Sequence, residues 1–249
     1  MKIDLVAWGD DIPGLSLKST NAKDKVTALG FRYSDSLSYS GPAIMEIYQS
    51  GGGEVAAVPE PSEEDAAHQL MPLIEDVPES DPGASAKPKS GLALELEKRR
   101  EKSPGLVALA ALPENGCRRA TVLLGPAGSG TFTAYVIDDD PARLPPGQLR
   151  VHNLSPLPIA LRCNGNQKKE LKTRETFLVP ARNGQVIYEL AYKTGDRWKI
   201  QENNVIAVGA GDQTQLIILK SDNTFFRSSD GSTGGFLQVV ALRRGPEAP

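Results

Sequence analysis

The stretch Thr121–Asp140, TVLLGPAGSGTFTAYVIDDD, decides the fold. A hydrophobic strand runs into Gly125-x-x-x-x-Gly130, and three aspartates follow a second apolar run. It reads either as a phosphate-binding loop with a metal-binding acid behind it, or as a Gly-rich turn joining two strands. The phosphate-binding motif needs Lys and then Ser or Thr directly after the second glycine, so that an ammonium meets phosphate and a hydroxyl meets magnesium. Thr131 and Phe132 stand there instead. Such a loop also opens a helix whose first amides hold the phosphate, yet TFTAYVI is β-branched and aromatic, a strand by preference. The stretch therefore predicts a β-hairpin, with Asp138, Asp139 and Asp140 capping its second strand before Pro141.

Strand signals continue on both sides of this hairpin. GQLRVHNL, PIALRCNG, ETFLVPA, GQVIYELAY, RWKIQ, NVIAVGAG, TQLIILKSD and GGFLQVVALRR are short apolar runs bounded by Gly, Asn, Asp or Pro, as in antiparallel sandwiches. In GQVIYELAY, Val186, Tyr188, Leu190 and Tyr192 share one face, and Ile187 and Ala191 the other. TQLIILKSD is continuously apolar, which predicts a strand covered on both sides. The first half repeats this language in KIDLVAW, LSLKS, KVTALGFRYS, AIMEIYQ, GLVALAAL and RATVLLG.

Between residues 51 and 104 the composition changes to many prolines and acidic residues. Ser62-Glu-Glu-Asp65 resembles a helix cap, and AAHQLMPLI gives a short helix limited by Pro72. GLALELEKRREK alternates Leu92, Leu94 and Leu96 and leaves helix or strand open. Docking is expected through two clusters, Leu70, Leu73 and Ile74 and then Leu92, Leu94 and Leu96, with 75–90 between them the most mobile part.

The halves look duplicated. Gly41-Pro-Ala-Ile-Met-Glu-Ile47 matches Gly184-Gln-Val-Ile-Tyr-Glu-Leu190 without a gap. Ile12–Lys18 resembles Leu157–Arg162 with one gap, and Thr131–Val136 parallels Gly235–Val240. Three matches in one order predict an all-β chain of two tandem immunoglobulin-like β-sandwich domains. The first spans 1–50 and 105–141, with 51–104 as a Pro/acidic-rich, partly helical insertion; the second spans 148–244.

Composition narrows the function. At −3 net charge and a pI near 5.6, no global basic field holds a phosphate backbone, so nucleic acid is not an expected partner. No apolar run is long enough to span a bilayer. Met1 and Lys2 lead straight into IDLVAW, which reads as a strand and not a signal peptide. The chain is then either cytoplasmic or exported with its signal removed; the abrupt start favours an extracytoplasmic place, periplasm or cell surface. Cys117 and Cys163 are isolated from each other and from both histidines, so no metal site is expected. Unpaired structural thiols are the expectation for them, with a disulfide as the alternative in an exported protein.

Chemical constellations are sparse. Gly9-Asp10-Asp11 could pair two carboxylates on a metal, but Ile12-Pro13-Gly14 directly after it reads as a turn, and Asp is common beside turns because its side chain bonds nearby backbone amides. His68 lies in the insertion and His152 on a strand; neither sits in a motif for a catalytic base. Trp8, Tyr33, Tyr39, Tyr48, Tyr188, Tyr192 and Trp198 read as core residues more readily than as a binding platform. Phe225 and Phe226 are the exception, adjacent in the turn-rich KSDNTFFRSSDGSTGG, where at least one ring faces outward. They are the candidate ligand-binding residues. No catalytic residue and no cofactor is expected.

Leu149-Arg-Val-His-Asn-Leu-Ser-Pro156, with the apolar strand and Cys-Asn-Gly turn after it, resembles bacterial exported immunoglobulin-like β-sandwich domains of unknown function. Those open with an R-V-x-N-x-S-P-like strand and turn. Gln167-Lys-Lys-Glu-Leu-Lys172 is more charged than that pattern. The resemblance implies an extracytoplasmic, non-enzymatic module. The leading expectation is a structural or adhesion module of the bacterial cell envelope, with an unidentified protein or glycan partner. Two alternatives stay open: a carbohydrate- or peptide-binding module using loop aromatics, and an enzyme with an unrecognised carboxylate site.

Overall fold

The computed structural model describes residues 1–18, 25–50, 91–113, 117–220 and 237–246. The first half contains β1 Lys2–Ala7, β2 Ile12–Leu17, β3 Val26–Gly30, β4 Leu37–Ser38, β5 Ile44–Gln49, helix α1 Gly91–Arg100, β6 Leu106–Ala111, β7 Arg119–Gly128 and β8 Thr131–Asp138. The second contains β9 Gln148–Asn153, β10 Ile159–Cys163, β11 Gln167–Leu171, β12 Thr176–Pro180, β13 Gln185–Thr194, β14 Arg197–Ala207, β15 Gln213–Lys220 and β16 Leu237–Arg244. The described chain is predominantly β, with one short helix.

Thr121–Asp140 forms the hairpin β7–β8. Gly128, Ser129 and Gly130 all have positive φ, as a tight turn between right-twisted strands requires.

The second half is a sandwich of two four-stranded sheets, β11-β10-β13-β14 and β12-β9-β15-β16. The first half pairs in the same way, β3-β2-β5-β6 and β4-β1-β7-β8. One extra join, a parallel contact of β3 with β1 at Val6↔Leu29 and Ala7↔Gly30, merges its sheets into one. Register repeats too. Leu17 stands opposite Ile47 as Leu161 stands opposite Leu190. The bulge between Ile47 and Tyr48 recurs between Leu190 and Ala191. Lys18–Glu46 at 2.9 Å is matched by Arg162–Glu189 at 2.8 Å.

This strand order departs from the immunoglobulin constant pattern, in which the first strand lies beside the second. Here β1 lies between β4 and β7, and β9 between β12 and β15.

The layers follow from side-chain alternation. In β1 and β7, Leu5, Ala7, Val122 and Leu124 face the first core, while Val6 and Leu123 face the second half. In β15, Leu216 and Ile218 face the second core, and Ile217 and Leu219 turn toward Val6 and Leu123. The two sandwiches therefore stack face to face, and Leu216–Leu219 of β15 are all apolar because both faces of the strand are covered. Residues 141–147 are anchored at Leu144: it is buried and its carbonyl accepts a hydrogen bond from Gln213 Nε2 at 2.8 Å.

GLALELEKRREK forms a helix over Gly91–Arg100, not a strand. Leu92 and Leu96, four apart, pack on β5 and β6 beside Ile44, Tyr48, Leu106 and Leu109. Leu94 belongs to the opposite face and is 55% exposed, so the expected three-leucine cluster reduces to two. The expected helix at 62–74, with His68, Leu70, Leu73 and Ile74, and the expected mobile stretch 75–90 lie outside the described residues.

Candidate functional site

Two features sit where the sandwiches meet: a buried polar network and, beside it, an open aromatic cleft.

The network brings together residues far apart in sequence. Arg244 Nη2 lies 2.7 Å from Asp4 Oδ2 and 3.2 Å from Asp139 Oδ2. Its guanidinium carbon sits 4.3 Å from the centre of the Tyr33 ring. Gln215 Nε2 donates to Tyr33 at 3.1 Å and to Asp139 Oδ1, while Thr121 donates to Asp139 Oδ2. Arg119 Nε approaches Asp4 at 3.9 Å, and Ser36 donates to Asp4 Oδ1. Both carboxylates are buried. Burial pushes the Asp139 carboxyl above the usual carboxylate range, against the pull of Thr121, Arg244 and Gln215. Burial also works against the Arg244 charge, but Asp4 and Asp139 outweigh it and raise its pKa. A guanidinium shared by two carboxylates is the kind of compensation that buried charge requires.

All three aspartates are expected at a strand end. Asp140 does act there, accepting from the Ala142 amide at 3.0 Å. Asp139 differs from that expectation: it points inward and ties the end of β8 to β15 and β16.

His152 is interior, on β9 between β12 and β15. Burial, helped by nearby Arg150, lowers its pKa to about 3, so the ring is neutral at ordinary pH. Gln215 is close enough to act on it, yet Nε2 has no hydrogen bond of good geometry among the described residues. Cys117 and Cys163 are buried and free. Burial, with Asp138 adding to it at Cys117, pushes each thiol up to about 11, away from the reactive thiolate.

The cleft has a volume of about 600 Å³ and opens between the halves. Trp8 and Phe31 form one wall, Phe132 and Tyr135 of β8 another, and Leu154 and Leu219 come from the second half. Trp8 and Phe31 meet edge to face, 5.4 Å between centroids at 76°. The rim carries Asp10, Asp11 and Lys220.

Local backbone explains the wall. The Phe31 amide donates to Ala7 O at 2.9 Å and the Trp8 amide to Leu124 O at 2.8 Å, so both rings leave from the ends of paired strands. Asp11 Oδ1 accepts from the Gly30 amide at 2.7 Å, which holds the bend at Gly9–Asp11 against the end of β3. Ile12-Pro13-Gly14, expected as a turn, instead opens β2, with Gly14 at φ +70° where its register shifts. A Cβ on Gly30 would lie 2.3 Å from Gly9 O, so only glycine permits this approach. Phe31 itself sits at φ +55°, a left-handed conformation rare for a bulky side chain.

Of the sequence candidates, Trp8, Asp10 and Asp11 reach this cleft, whereas Tyr39 and Tyr188 are core and Trp198 lies on β14. Phe225 and Phe226 lie outside the described residues. Phe31, Phe132 and Tyr135 were missed, because single aromatics in separate strands carry no common spacing.

Compared with known proteins, the chain matches no protein-family model and no curated sequence.

Proposed function

We propose that the chain is a non-catalytic module of the structural or adhesion kind, two tandem copies of one sandwich, whose ligand is an extended peptide segment seated in the cleft between them. Phe31 carries this reading. A left-handed conformation costs an L-residue about 1–2 kcal/mol. The Phe31 ring belongs to neither sandwich core and instead turns with Trp8 into the cleft. Strain held in place at a concave aromatic surface is a mark of a ligand clamp.

The lining sets the chemistry. Aromatic and aliphatic walls take an apolar side chain, and two rim carboxylates against one ammonium favour a basic residue beside it. Resemblance to exported immunoglobulin-like domains supports a place in the bacterial envelope; the likeness extends to a two-sheet sandwich and not to strand order. Following the native protein between cytosolic and envelope fractions tests that placement, and recovery in the cytosol contradicts it.

A panel of short peptides and an array of glycans, offered to the wild type and to Phe132→Ala, tests the binding reading. Peptides pairing an aromatic or aliphatic residue with Arg or Lys should bind, and Phe132→Ala should weaken them about tenfold, the value of one lost aromatic contact. Binding of glycans alone, or peptide binding indifferent to Phe132→Ala, contradicts it.

A further inference from the structure

The stacked sheets are covered unequally at their two ends. In the first half, α1 lies on the outer face of β5 and β6 and buries Leu106 and Leu109. The shared register and bulge make Ile187 the counterpart of Ile44, Ile200 that of Leu106, and Val205 that of Ala111. On this second face Ile187 is 46%, Val205 51% and Ile200 68% exposed, whereas Leu106 under the helix is 0%. With Trp198, these are four of the six large apolar side chains most exposed among the described residues. All four lie on one side of a two-strand surface, an apolar concentration that marks interaction sites.

A charge completes the correspondence. Under α1, Glu46 is held by Lys18 at 2.9 Å and by the helix's own Arg99 at 2.7 Å. Its counterpart Glu189 has the matching strand partner, Arg162 at 2.8 Å through Oε2, and its side chain is 26% exposed against 14% for Glu46. The place that Arg99 takes on the first face has no basic occupant on the second among the described ion pairs.

We propose that the outer face of β13 and β14 is the docking site for an amphipathic α-helix of another protein. That helix presents two leucine-like side chains four residues apart and an arginine or lysine three residues after the second. The pattern is that of Leu92, Leu96 and Arg99, which the equivalent face already accepts within this chain. The leucines cover Ile187 and Ile200, the counterparts of Ile44 and Leu106 under α1, and the basic group meets Glu189. This face is separate from the cleft, which lies on the opposite side of the second sandwich core.

The probe is a fluorescent synthetic peptide of residues 91–103, GLALELEKRREKS, titrated into the full chain. Saturable binding is expected at up to about 1 mM peptide, the weak range for a short helix. Ile200→Asp should weaken it about tenfold or more, and Glu189→Gln about threefold. Both positions are on the surface, and unchanged circular dichroism confirms that the variants fold. Absence of binding overturns the proposal. So does binding untouched by Ile200→Asp, which would place the peptide elsewhere. Dimerisation of the unliganded chain that Ile200→Asp abolishes also overturns it, because the occupant is then a second copy.

Discussion

Arg244 Nη2 lies 2.7 Å from Asp4 Oδ2, so the last strand of the second sandwich is ion-paired to the first strand of the first. The same nitrogen reaches Asp139 at 3.2 Å. One cation therefore serves two buried carboxylates at the face where the halves meet. Removing it should be costly, because uncompensated buried charge costs more than the pair contributes. Arg244→Met is expected to lower stability by about 3–5 kcal/mol in urea unfolding. Adding Asp139→Asn should recover part of that loss. An Arg244→Met variant as stable as the wild type would show that the network does not hold the sandwiches together.

Acid sensitivity should come from His152. Its folded pKa is about 3, below the unfolded value near 6.5. A depressed pKa means the unfolded chain binds the proton first, so this contribution is complete above about pH 6.5 and is lost as pH falls toward 3. Asp139 acts in the opposite sense: its raised carboxyl contributes stability at low pH that is lost as pH rises through its folded pKa. The two partly cancel in the wild type. His152→Gln removes one of them, and its stability should fall less than the wild type's between pH 6.5 and 4. Parallel pH profiles for the two proteins would contradict this.

Gly30 brings β3 close against the Gly9–Asp11 segment, which lines the cleft. A methyl group there meets the Gly9 carbonyl oxygen, so Gly30→Ala must push the Gly9–Asp11 turn away from β3. Overpacking of this kind costs about 1–3 kcal/mol. The variant should unfold at lower urea and lose affinity for cleft peptides. Unaltered stability would mean that the turn moves freely and the wall is not fixed.

The helix α1 makes a sharper distinction between neighbours. Leu96 is buried on β6 and Leu94 is exposed. Leu96→Ala should cost about 2–3 kcal/mol, and Leu94→Ala should fall within about 0.5 kcal/mol of the wild type. Equal effects would contradict the face assigned to the helix.

These residues also show what was legible in the sequence. The hairpin was, because a lysine missing after Gly130 and a β-branched run removed its rival. The correspondence of GPAIMEI with GQVIYEL was visible because both segments face a core at the same alternate positions, Met45 and Ile47 and then Tyr188 and Leu190. Helix α1 was ambiguous because Leu92, Leu94 and Leu96 satisfy a strand's period, while Leu92 with Leu96 and Glu95 with Arg99 satisfy a helix's. Asp139 was misread because three adjacent aspartates before a proline look alike until Arg244 and Gln215 arrive from elsewhere in the chain. Strand order was beyond local signals, since the parallel contacts of β1 with β7 and of β9 with β15 join segments over 50 residues apart.

Trp8 offers the most direct test of the cleft. The chain has two tryptophans, and Trp198→Phe leaves the cleft residue as the sole reporter. Titrating a peptide that pairs a phenylalanine with an arginine should shift and saturate Trp8 emission, with the same midpoint as calorimetric binding. Binding heat without any change in Trp8 emission, or no interaction from any peptide of this class, would contradict the account.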